Sequence, residues 1–408
     1  MSDRGTDWAA SGVVALTGAA DGPPLLPPGR AATVARELAD GIAATTSGTA
    51  HPVVLDGARL LSERAALTGS PRAGRVSAGG SCRLLPTLDG WAAVSSARPS
   101  DPPLLGALVE QEVGGDPWPA VAGWLRHRTG AELAARAELL GVAAAPVRPP
   151  DVAPPPLPRH PPRSVEGLLV VDFSALWAGP LAASLLGLAG ARVVKVEVPD
   201  RLDGARRGNA AFYRLLHAGH RSVLLDPSTP RGRAAMAALV DAADIVIEGS
   251  RPRALAGFGL DAEAAVAAGT TWVSLTAGGR SSGRVGFGDD VAAGAGLVAR
   301  DADGDPVFVG DAIADPLTGL TAAALAMTAP ADGSGVLWDV AMADVVAATL
   351  DRELTGPSPA ARRSGDGWVL DSASGPVPVA DPQPRTVAGQ APEAGADTTA
   401  VLAELGIA

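Results

Sequence analysis

The stretch GLLVVDFSALWAGPLAASLLGLAGARVVKVEV (residues 167–198) decides the fold. Its opening, GLLVVDF, is a continuous apolar run, as expected of a parallel strand that is buried on both faces. A helical stretch follows and ends at Gly190, and ARVVKVEV forms a second apolar run. Three more such runs are separated by alanine-rich stretches, namely RSVLLD (221–226), ADIVIEG (243–249) and TTWVSLT (270–276). This alternation predicts an α/β fold with a doubly wound parallel sheet.

Composition narrows the class of protein. The 408 residues are 47% hydrophobic but only 3% aromatic, so the cores must be built from alanine, valine and leucine. A formal charge of −11 argues against a nucleic-acid partner, which needs a basic face. Cys82 is the sole cysteine, which excludes a disulfide framework. The first residues lack the pattern of a signal peptide, and no apolar window reaches 18 residues, so we expect a soluble, cytoplasmic protein with no membrane partner.

A proline-rich segment divides the chain. Residues 146–164 contain nine prolines in 19 positions, a composition that favours extended polyproline II over helix or sheet. At about 3.1 Å per residue this segment could span almost 60 Å. We interpret it as a linker. The part before it contains two helical stretches, PWPAVAGWLRHRT (117–129) and AELAARAELLG (131–141), which predict a small α+β domain.

A weak internal repeat connects the two sides of the linker. Three pairs of segments match in the same order: 21–44 with 303–323, 51–67 with 335–350, and LDGW (88–91) with GDGW (365–368). The second pair aligns Asp56 with Asp339. If Gly41 matches Gly319, the first pair places Glu37 opposite Asp315. Chance similarity explains any single pair in an alanine-rich chain, but three in order favour a partial duplication.

Asp315 lies at the start of an apolar run, DAIADPLTGLTAAALAM (311–327). Aspartate is a preferred helix N-cap, and Pro316 would then occupy the first helical position, where proline is favoured. Leu317, Leu320 and Met327 recur at helical spacing. Taken alone, this segment therefore favours a capping role for Asp315 over a catalytic one.

Several common chemistries lack their sequence signature. The first predicted strand leads into FSALWAGP and not into a G-x-G-x-x-G turn, which argues against a nicotinamide oxidoreductase. No Walker sequence occurs, and the five histidines have no metal-ligand spacing, so no metal site is predicted. Ser184 lacks a G-x-S-x-G elbow, so a serine hydrolase is not expected.

A series of short phrases in fixed order carries more information. They are LWAGPLAASLLGLAGARVVKVEVPD, HAGHRSVLLDPSTPRGR, AADIVIEGSRPRALAGFGL, GFGDDVAAGAGLV, VGDAIADPLTGLTAAALAM, WDVAMAD and the terminal GPVPVADPQPRTVAGQAPEAGADTTAVLAELGIA. In this order they resemble the class III CoA-transferases, the family of formyl-CoA and carnitine CoA-transferases and alpha-methylacyl-CoA racemase. The resemblance covers 165–344 and about the last thirty residues. Before the linker, DGWAAV (89–94) through HRTGAELAARAELLGVAAAPV (127–147) looks like the family's small domain.

The resemblance implies an unusual domain order. Residues 1–145 look like a partial family copy with the small domain, and residues 146–164 look like a linker. Residues 165–350 look like a Rossmann-like CoA-binding domain with the catalytic aspartate. Residues 351–408 look like a tail that returns to the large domain. Family members form dimers of interlocked subunits. The chain is therefore expected to adopt this interlocked architecture as a homodimer, as an intrachain pseudo-dimer, or with a family homologue as partner.

The resemblance also assigns a role to Asp315. The family's catalytic carboxylate falls in an A-D-x-x-x-G phrase, which residues 314–319 match. The positive end of the helix dipole would help to hold the carboxylate ionised. It would attack an acyl-CoA thioester to give an acyl-aspartyl anhydride, so that CoA moves to a carboxylic acid acceptor. This implies a CoA-transferase with a CoA thioester as substrate and no permanently bound cofactor.

CoA carries phosphates, and local cations are expected to bind them. Backbone N–H groups at the start of the helix that follows the first strand are suited to bind an anionic group or the pantetheine chain of CoA. The residues predicted to contact CoA are Trp177, Ala178, Gly179, Lys195, Arg206, Arg207, Arg221 and Arg251.

Departures from the family pattern keep two alternatives open. The family's Asn-aromatic pair is replaced by Gly249-Ser250, and Ala277-Gly278-Gly279 lacks the aromatic of the usual glycine loop. These losses are typical of a non-catalytic or degenerate subunit that partners a conventional family member. The other alternative is an acyl-CoA racemase-type enzyme, whose histidine is replaced here by Asp289. Asp289 and Asp290 are otherwise expected to form a solvated turn.

Overall fold

The structure, a computed structural model, describes residues 4–148, 154, 156–249, 252–350, 356–372 and 375–406. Its helices are α1 (Arg4–Ala10), α2 (Ala31–Thr46), α3 (Gly57–Leu60), α4 (Glu63–Thr68), α5 (Asp101–Val109), α6 (Trp118–Leu125), α7 (Gly130–Leu140), α8 (Ala178–Leu188), α9 (Ala210–His217), α10 (Pro230–Ala242), α11 (Pro252–Ala256), α12 (Ala262–Ala267), α13 (Gly288–Gly294), α14 (Ala314–Ala326), α15 (Met342–Ala347) and α16 (Thr398–Glu404), with 3₁₀ turns at Val14–Leu16 and Gly204–Arg207. None of these helices is long and apolar enough to cross a membrane.

Within the described residues the strands form four sheets. They are β1 (Cys82–Pro86), β2 (Trp91–Ser95), β3 (Ala144–Pro146), β4 (Leu169–Asp172), β5 (Arg192–Glu197), β6 (Arg221–Leu224), β7 (Ile245–Glu248), β8 (Thr271–Thr276), β9 (Val298–Arg300), β10 (Pro306–Phe308), β11 (Val336–Ala341), β12 (Arg362–Ser364), β13 (Gly367–Ser372) and β14 (Gly375–Pro378). The largest sheet has six strands in the order β11-β8-β7-β4-β5-β6.

The six-stranded sheet is parallel throughout and has the Rossmann strand order. All five strands predicted from continuous apolar runs are confirmed as β4 to β8. The sixth, β11, was not predicted as a strand. Strand order reverses between β4 and β7, so the crevice beyond the carboxyl ends of these two strands is the expected ligand position in such a fold.

Burial of the sheet on both faces explains its apolar strands. Successive side chains of β4 enter opposite cores: Val170 packs with α8 and α14 residues, whereas Leu169 and Val171 pack with α10 residues such as Met236. The tail returns to this sheet, because Asp397 exchanges two hydrogen bonds with the backbone of Ser222 on β6. Both sheet faces are therefore covered.

A smaller α+β unit precedes the linker. Strands β1, β2 and β3 form an antiparallel sheet that packs with α5, α6 and α7 around a separate apolar core. The two predicted helical stretches are confirmed as α6 and α7. Helix α7 starts with a capping box, in which Thr129 and Glu132 satisfy each other's backbone N–H groups.

The segments on either side of the linker share one hydrophobic core. Trp8, Ile42 and Leu61 from the first side lie in the same buried cluster as Leu317 and Leu320 of α14, and α2 packs against α14. The C-terminal end of the linker is bound to the residue after α14, because Arg163 N–H donates a hydrogen bond to the Met327 carbonyl. The domain boundaries given above stay a prediction.

The internal repeat holds for one pair of segments and fails for another. LDGW and GDGW both lead from one strand of an antiparallel hairpin into the next, β1–β2 and β12–β13. In contrast, 335–350 forms β11 and α15, whereas 51–67 contains no strand. Asp56 caps α3, while Asp339 lies within β11. The predicted equivalence of these two segments is therefore wrong, because only one of them contains a strand.

Glu37 is not the counterpart of Asp315. Helix α2 begins at Ala31 and α14 at Ala314, so the second helical residue is Ala32 in one and Asp315 in the other. Glu37 lies farther along α2, is exposed and pairs with Arg30. The prediction that Glu37 is a relic of the catalytic carboxylate is wrong, because the helix start sets a different register.

Gly319 allows α14 to approach α8 closely. A Cβ atom at this position would lie 2.5 Å from the Ala178 carbonyl oxygen and 3.0 Å from the Leu181 Cβ. The glycine of the A-D-x-x-x-G phrase therefore has a packing function. It places the second turn of α14 against the first turn of α8.

We expect Gly319→Ala to lower the free energy of unfolding by about 1–3 kcal/mol, because the added methyl group must push the two helices apart. Gly41→Ala in α2 is the matched control. No atom lies within 4 Å of a Cβ built there, so this change should stabilise the helix by about 0.5–1 kcal/mol. Urea unfolding monitored by circular dichroism measures both. Equal effects of the two substitutions would contradict the packing function of Gly319.

Candidate active site

Asp315 is the second residue of α14 and not its N-cap. Ile313 occupies the cap position without a side-chain cap bond, and Pro316 is the third helical residue. The expected capping role of Asp315 is wrong, because the chain enters the helix through a tight turn in which Asp315 N–H donates to the Ala312 carbonyl at 2.9 Å. The carboxylate is therefore not used as a cap and remains available for chemistry.

Gly288, at the start of α13, makes room for this carboxylate. A Cβ atom at position 288 would lie 2.5 Å from Asp315 Oδ2 and 2.3 Å from the Ala312 carbonyl oxygen. Any side chain there would displace either the carboxylate or the turn before α14. The G-F-G-D-D phrase thus contributes a glycine to the site by close approach.

Charged side chains from three segments lie around Asp315, and three of them come closest to its turn. They are Asp289 on α13, Asp311 in the turn before α14, and Arg64 on α4, which forms two hydrogen bonds with Asp311. Burial raises the pKa of Asp315 to about 7; Arg64 opposes this shift, and the neighbouring carboxylates add to it. The expectation of full ionisation at neutral pH is corrected. A raised pKa of this size keeps part of the Asp315 carboxyl groups protonated at neutral pH.

Asp289 and Asp290 are buried, so the expected solvated turn is wrong. Asp289 accepts a hydrogen bond from Ala312 N–H at 2.8 Å, and burial together with Asp311 raises the pKa of Asp289 to about 6. Asp290 accepts hydrogen bonds from the Ser95 hydroxyl at 2.8 Å and from Phe287 N–H at 2.9 Å. The Asp289 carboxylate thus holds the turn before α14, and the Asp290 carboxylate joins α13 to the small α+β unit.

The predicted CoA-contacting segment 177–179 lies beside this site. Trp177 precedes α8, is buried, and has the Arg64 guanidinium 5.1 Å from its ring centroid. Gly179 is packed so tightly that a Cβ atom would lie 2.0 Å from the Ser174 hydroxyl oxygen. Ala178 contacts Gly319 through its carbonyl oxygen. The structure therefore brings these three residues and the turn of Asp315 together at the carboxyl edge of the sheet.

Lys195 is buried and holds the loop that precedes Trp177. Its ammonium group lies 3.1 Å from Asp203 and 3.5 Å from Asp172, and it donates a hydrogen bond to the Ser174 carbonyl. Burial opposes the charged form, but the two carboxylates outweigh it and raise the pKa of Lys195. Asp203 in turn accepts from Leu176 N–H at 3.0 Å. This geometry suits a positioning function of Lys195 better than contact with a phosphate.

The predicted arginines are spread over different surroundings. Arg206 pairs with Glu197 and lies 4.6 Å from the Tyr213 ring centroid. Arg207, at the end of a 3₁₀ turn, is exposed. Arg221 begins β6 at the amino edge of the sheet and pairs with Glu404, so the structure does not bring it to the site. Arg251 lies outside the described residues.

Sequence reasoning missed two charged residues of the site. Arg64 lies in none of the family-like phrases, and it reaches Asp311 from 247 positions away. Asp311 lies within the quoted phrase VGDAIADPLTG but was not assigned a role. The Gly-Asp pair at 310–311 was the available signal, since glycine and aspartate are both frequent turn residues.

Fold and site together define an α/β protein with a Rossmann-type sheet and a buried carboxylate cluster at its carboxyl edge. A sequence profile of CoA-transferase family III matches residues 165–398. This match spans more than half of the chain, and the protein therefore belongs to CoA-transferase family III. The resemblance found in the sequence phrases is confirmed.

Known relatives match part of the chain. It is 32% identical over 216 residues to a succinate–glutarate CoA-transferase of Agrobacterium fabrum, which is 47% of this chain and 54% of that protein. It is 28% identical over 211 residues to a succinyl-CoA–D-citramalate CoA-transferase of Chloroflexus aurantiacus, 47% and 52% of the two chains. A crystal structure of a CaiB/BaiF family protein from Brucella suis aligns over 53% of this chain and 65% of that one, with 28% identity and a TM-score of 0.45. The chain spans about half the length of the curated relatives it matches.

We expect the stability of Asp315→Asn relative to wild type to increase as pH rises. The folded-state pKa of Asp315, about 7, lies above the unfolded value of about 4, so the wild type loses stability as pH rises through the folded value. Because Asp315 keeps part of its surface in solvent, the variant should gain only about 1–2 kcal/mol relative to wild type between pH 5.5 and pH 8. Urea unfolding at the two pH values measures this gain.

The control for this experiment is Asp303→Asn, which changes an exposed turn residue. It should show no comparable gain between the two pH values. A constant difference between Asp315→Asn and wild type across this range would contradict the raised pKa of Asp315.

Proposed function

We propose that this protein is an acyl-CoA:carboxylate CoA-transferase in which Asp315 is the nucleophile. The observation that carries the proposal is the position of Asp315, which lies in the first turn of α14, with no capping role and with room made for it by Gly288. Family membership supports the reaction class, since the curated relatives are named as CoA-transferases.

The chemistry begins with the ionised Asp315 carboxylate. One oxygen attacks the acyl carbon of the thioester, the new C–O bond forms, the C–S bond breaks, and CoA leaves as its thiolate. The product is an anhydride between the acyl group and Asp315. Attack of the thiolate on the Asp315 carbonyl then releases the donor acid and leaves CoA as a thioester on Asp315. The acceptor carboxylate repeats the two steps in reverse and carries CoA away.

The surroundings of Asp315 suit this reaction. A carboxylate with a raised pKa is a stronger nucleophile than an ordinary aspartate, and a pKa of about 7 still leaves part of the molecules ionised at neutral pH. The N-terminus of α8 at 177–179 offers backbone N–H groups and partial positive charge to the thioester or the pantetheine chain. Arg207 is exposed at the end of the 3₁₀ turn that Asp203 caps, so among the predicted arginines it is the one free to bind a phosphate in this proposal.

Trapping with hydroxylamine tests the nucleophile directly. After mixing with succinyl-CoA or another acyl-CoA, the wild-type protein should form a hydroxamate on Asp315, which peptide mass spectrometry locates. Asp315→Asn should form none. Asp289→Asn, which changes the neighbouring buried carboxylate, is the matched control and should still form the adduct on Asp315. Full transferase activity in Asp315→Asn across a broad acyl-CoA panel would contradict the proposal.

The rate should depend on pH with one acidic limb. Because the ionised form attacks, kcat/KM should rise about tenfold per pH unit below pH 7 and level off above it. Asp289→Asn removes a negative neighbour, so it should move the midpoint of this limb to lower pH. An unchanged midpoint in Asp289→Asn would contradict the electrostatic coupling of the two carboxylates.

A racemase-type activity is the second candidate. The observation that favours it is the raised pKa of both Asp289 and Asp315, about 6 and about 7, since proton exchange needs two groups that titrate near neutrality. Incubation of a 2-methylacyl-CoA in D₂O distinguishes the two functions. Incorporation of deuterium at C2 that is lost in Asp289→Asn supports the racemase, whereas transfer of CoA without incorporation supports the transferase.

A non-catalytic subunit is the third outcome. The replacement of the Asn-aromatic pair by Gly249-Ser250 motivates it. Calorimetric titration of the isolated protein with CoA separates this outcome from the other two. Binding by the isolated chain supports an enzyme, and binding that requires a co-purifying family homologue supports the subunit.

A further inference from the structure

Arg64 comes from outside the part of the chain that the family profile matches. It lies on α4, ahead of the linker, whereas the profile covers 165–398. Its side chain nevertheless reaches the turn before α14, where Nε donates to Asp311 Oδ2 at 2.8 Å and a terminal nitrogen donates to the other carboxylate oxygen. Two parallel hydrogen bonds of this kind fix the orientation of both groups.

Asp311 belongs to the turn that positions Asp315. In this turn Ala312 adopts a left-handed conformation with φ of 46°, which is unfavourable for a residue other than glycine. The surroundings must therefore hold it in place. Asp289 binds the Ala312 N–H at 2.8 Å, and Arg64 binds the side chain of Asp311, which is fully buried. The Ala312 carbonyl then accepts the N–H of Asp315.

Arg64 also sets the charge balance around Asp315. The charged groups that face Asp315 are Asp311 in the preceding turn, Asp289 and Asp290 on α13, and Arg64 on α4. Arg64 is the cation that acts most strongly on this carboxylate. Its guanidinium is held over the Trp177 ring, with 5.1 Å between the charge centre and the ring centroid. Stacking and bidentate pairing together immobilise the cation.

We propose that Arg64 is a positioning residue for the Asp315 nucleophile, and that the segment ahead of the linker thereby completes the active site within the same chain. Through Asp311, Arg64 fixes the turn that aims Asp315, and through its charge it favours the ionised carboxylate. Its attraction for the free carboxylate also makes Asp315 a better leaving group when the anhydride is opened. This inference rests on the proposed role of Asp315 as nucleophile.

The alternative is an ion pair with a purely structural role. Such a pair would stabilise the contact between α4 and the turn at Asp311 without changing the ionisation of Asp315. The two cases differ in a property that can be measured without any substrate, namely the titration midpoint of the Asp315 carboxyl group.

The main comparison uses Arg64→Met combined with Asp311→Asn, against Asp311→Asn alone, both in the full-length chain. The second substitution avoids leaving a buried, unpaired carboxylate in the double variant. The Asp315 carboxyl is titrated by carbon-13 NMR of aspartate-labelled protein, with its signal assigned by its absence in Asp315→Asn. We expect the midpoint to rise by about one pH unit or more when Arg64 is removed. Equal midpoints in the two variants would overturn the proposal.

Arg64→Lys tests the geometric part separately. Lysine keeps the charge but loses the bidentate pair and the stacking. We expect a fall in kcat of at least about tenfold with a small change in KM for the acyl-CoA, because the nucleophile is misplaced. Arg59→Met, which changes an exposed arginine on the neighbouring α3, should leave kcat unchanged. An unchanged kcat in Arg64→Lys would also overturn the positioning role.

Failure of the proposed function is distinguishable from failure of this inference. If the wild type forms no hydroxamate on Asp315, the nucleophile assignment is wrong, while the NMR midpoints still decide whether Arg64 controls the ionisation of Asp315. If the double variant does not fold by circular dichroism, the midpoint in Arg64→Lys compared with Arg64→Gln decides it. A higher midpoint in Arg64→Gln supports the proposal, and equal midpoints overturn it.

Discussion

The contact between α14 and α8 is the constraint on which the site depends. At Gly319 the two helices approach so closely that the Ala178 carbonyl leaves no room for a side chain. Ala178 is the first residue of α8, directly beyond the carboxyl end of β4, so this contact fixes α14 relative to the switch point of the sheet. Asp315, one turn earlier on α14, is thereby placed where an α/β fold binds its ligands.

The carboxylates around Asp315 create a site that is costly for the folded protein. Asp289, Asp311 and Asp315 lie together with Arg64, and burial raises the pKa of Asp315 to about 7 and that of Asp289 to about 6. Such clusters are typical of functional sites, where stability is lost in exchange for reactivity. The surrounding core compensates, because residues from both sides of the linker pack into one apolar cluster that encloses α14.

Much of the fold could be predicted from the sequence because a parallel sheet that is covered on both faces demands continuous apolar strands. β4 to β8 meet that demand, whereas β11 carries Asp339 in its middle and was missed. The A-D-x-x-x-G phrase marked Asp315 as a candidate nucleophile. The sequence also predicted Asp315 as the N-cap, whereas Ile313 occupies that position after a turn in which Ala312 is left-handed. Arg64 could not be found, since no local pattern marks a contact between residues so distant in sequence.

The central claim, that Asp315 exchanges its own oxygen atoms with the substrate acids, can be tested by isotope transfer. The protein is incubated with succinyl-CoA and an acceptor acid whose carboxylate oxygens are oxygen-18. The mass of the peptide that contains Asp315 is then measured by mass spectrometry. An anhydride between Asp315 and the acceptor leaves one labelled oxygen on Asp315 when CoA attacks the acceptor's carbonyl. Our account predicts incorporation of oxygen-18 at Asp315 in step with turnover. Continued turnover with an unlabelled Asp315 would contradict it.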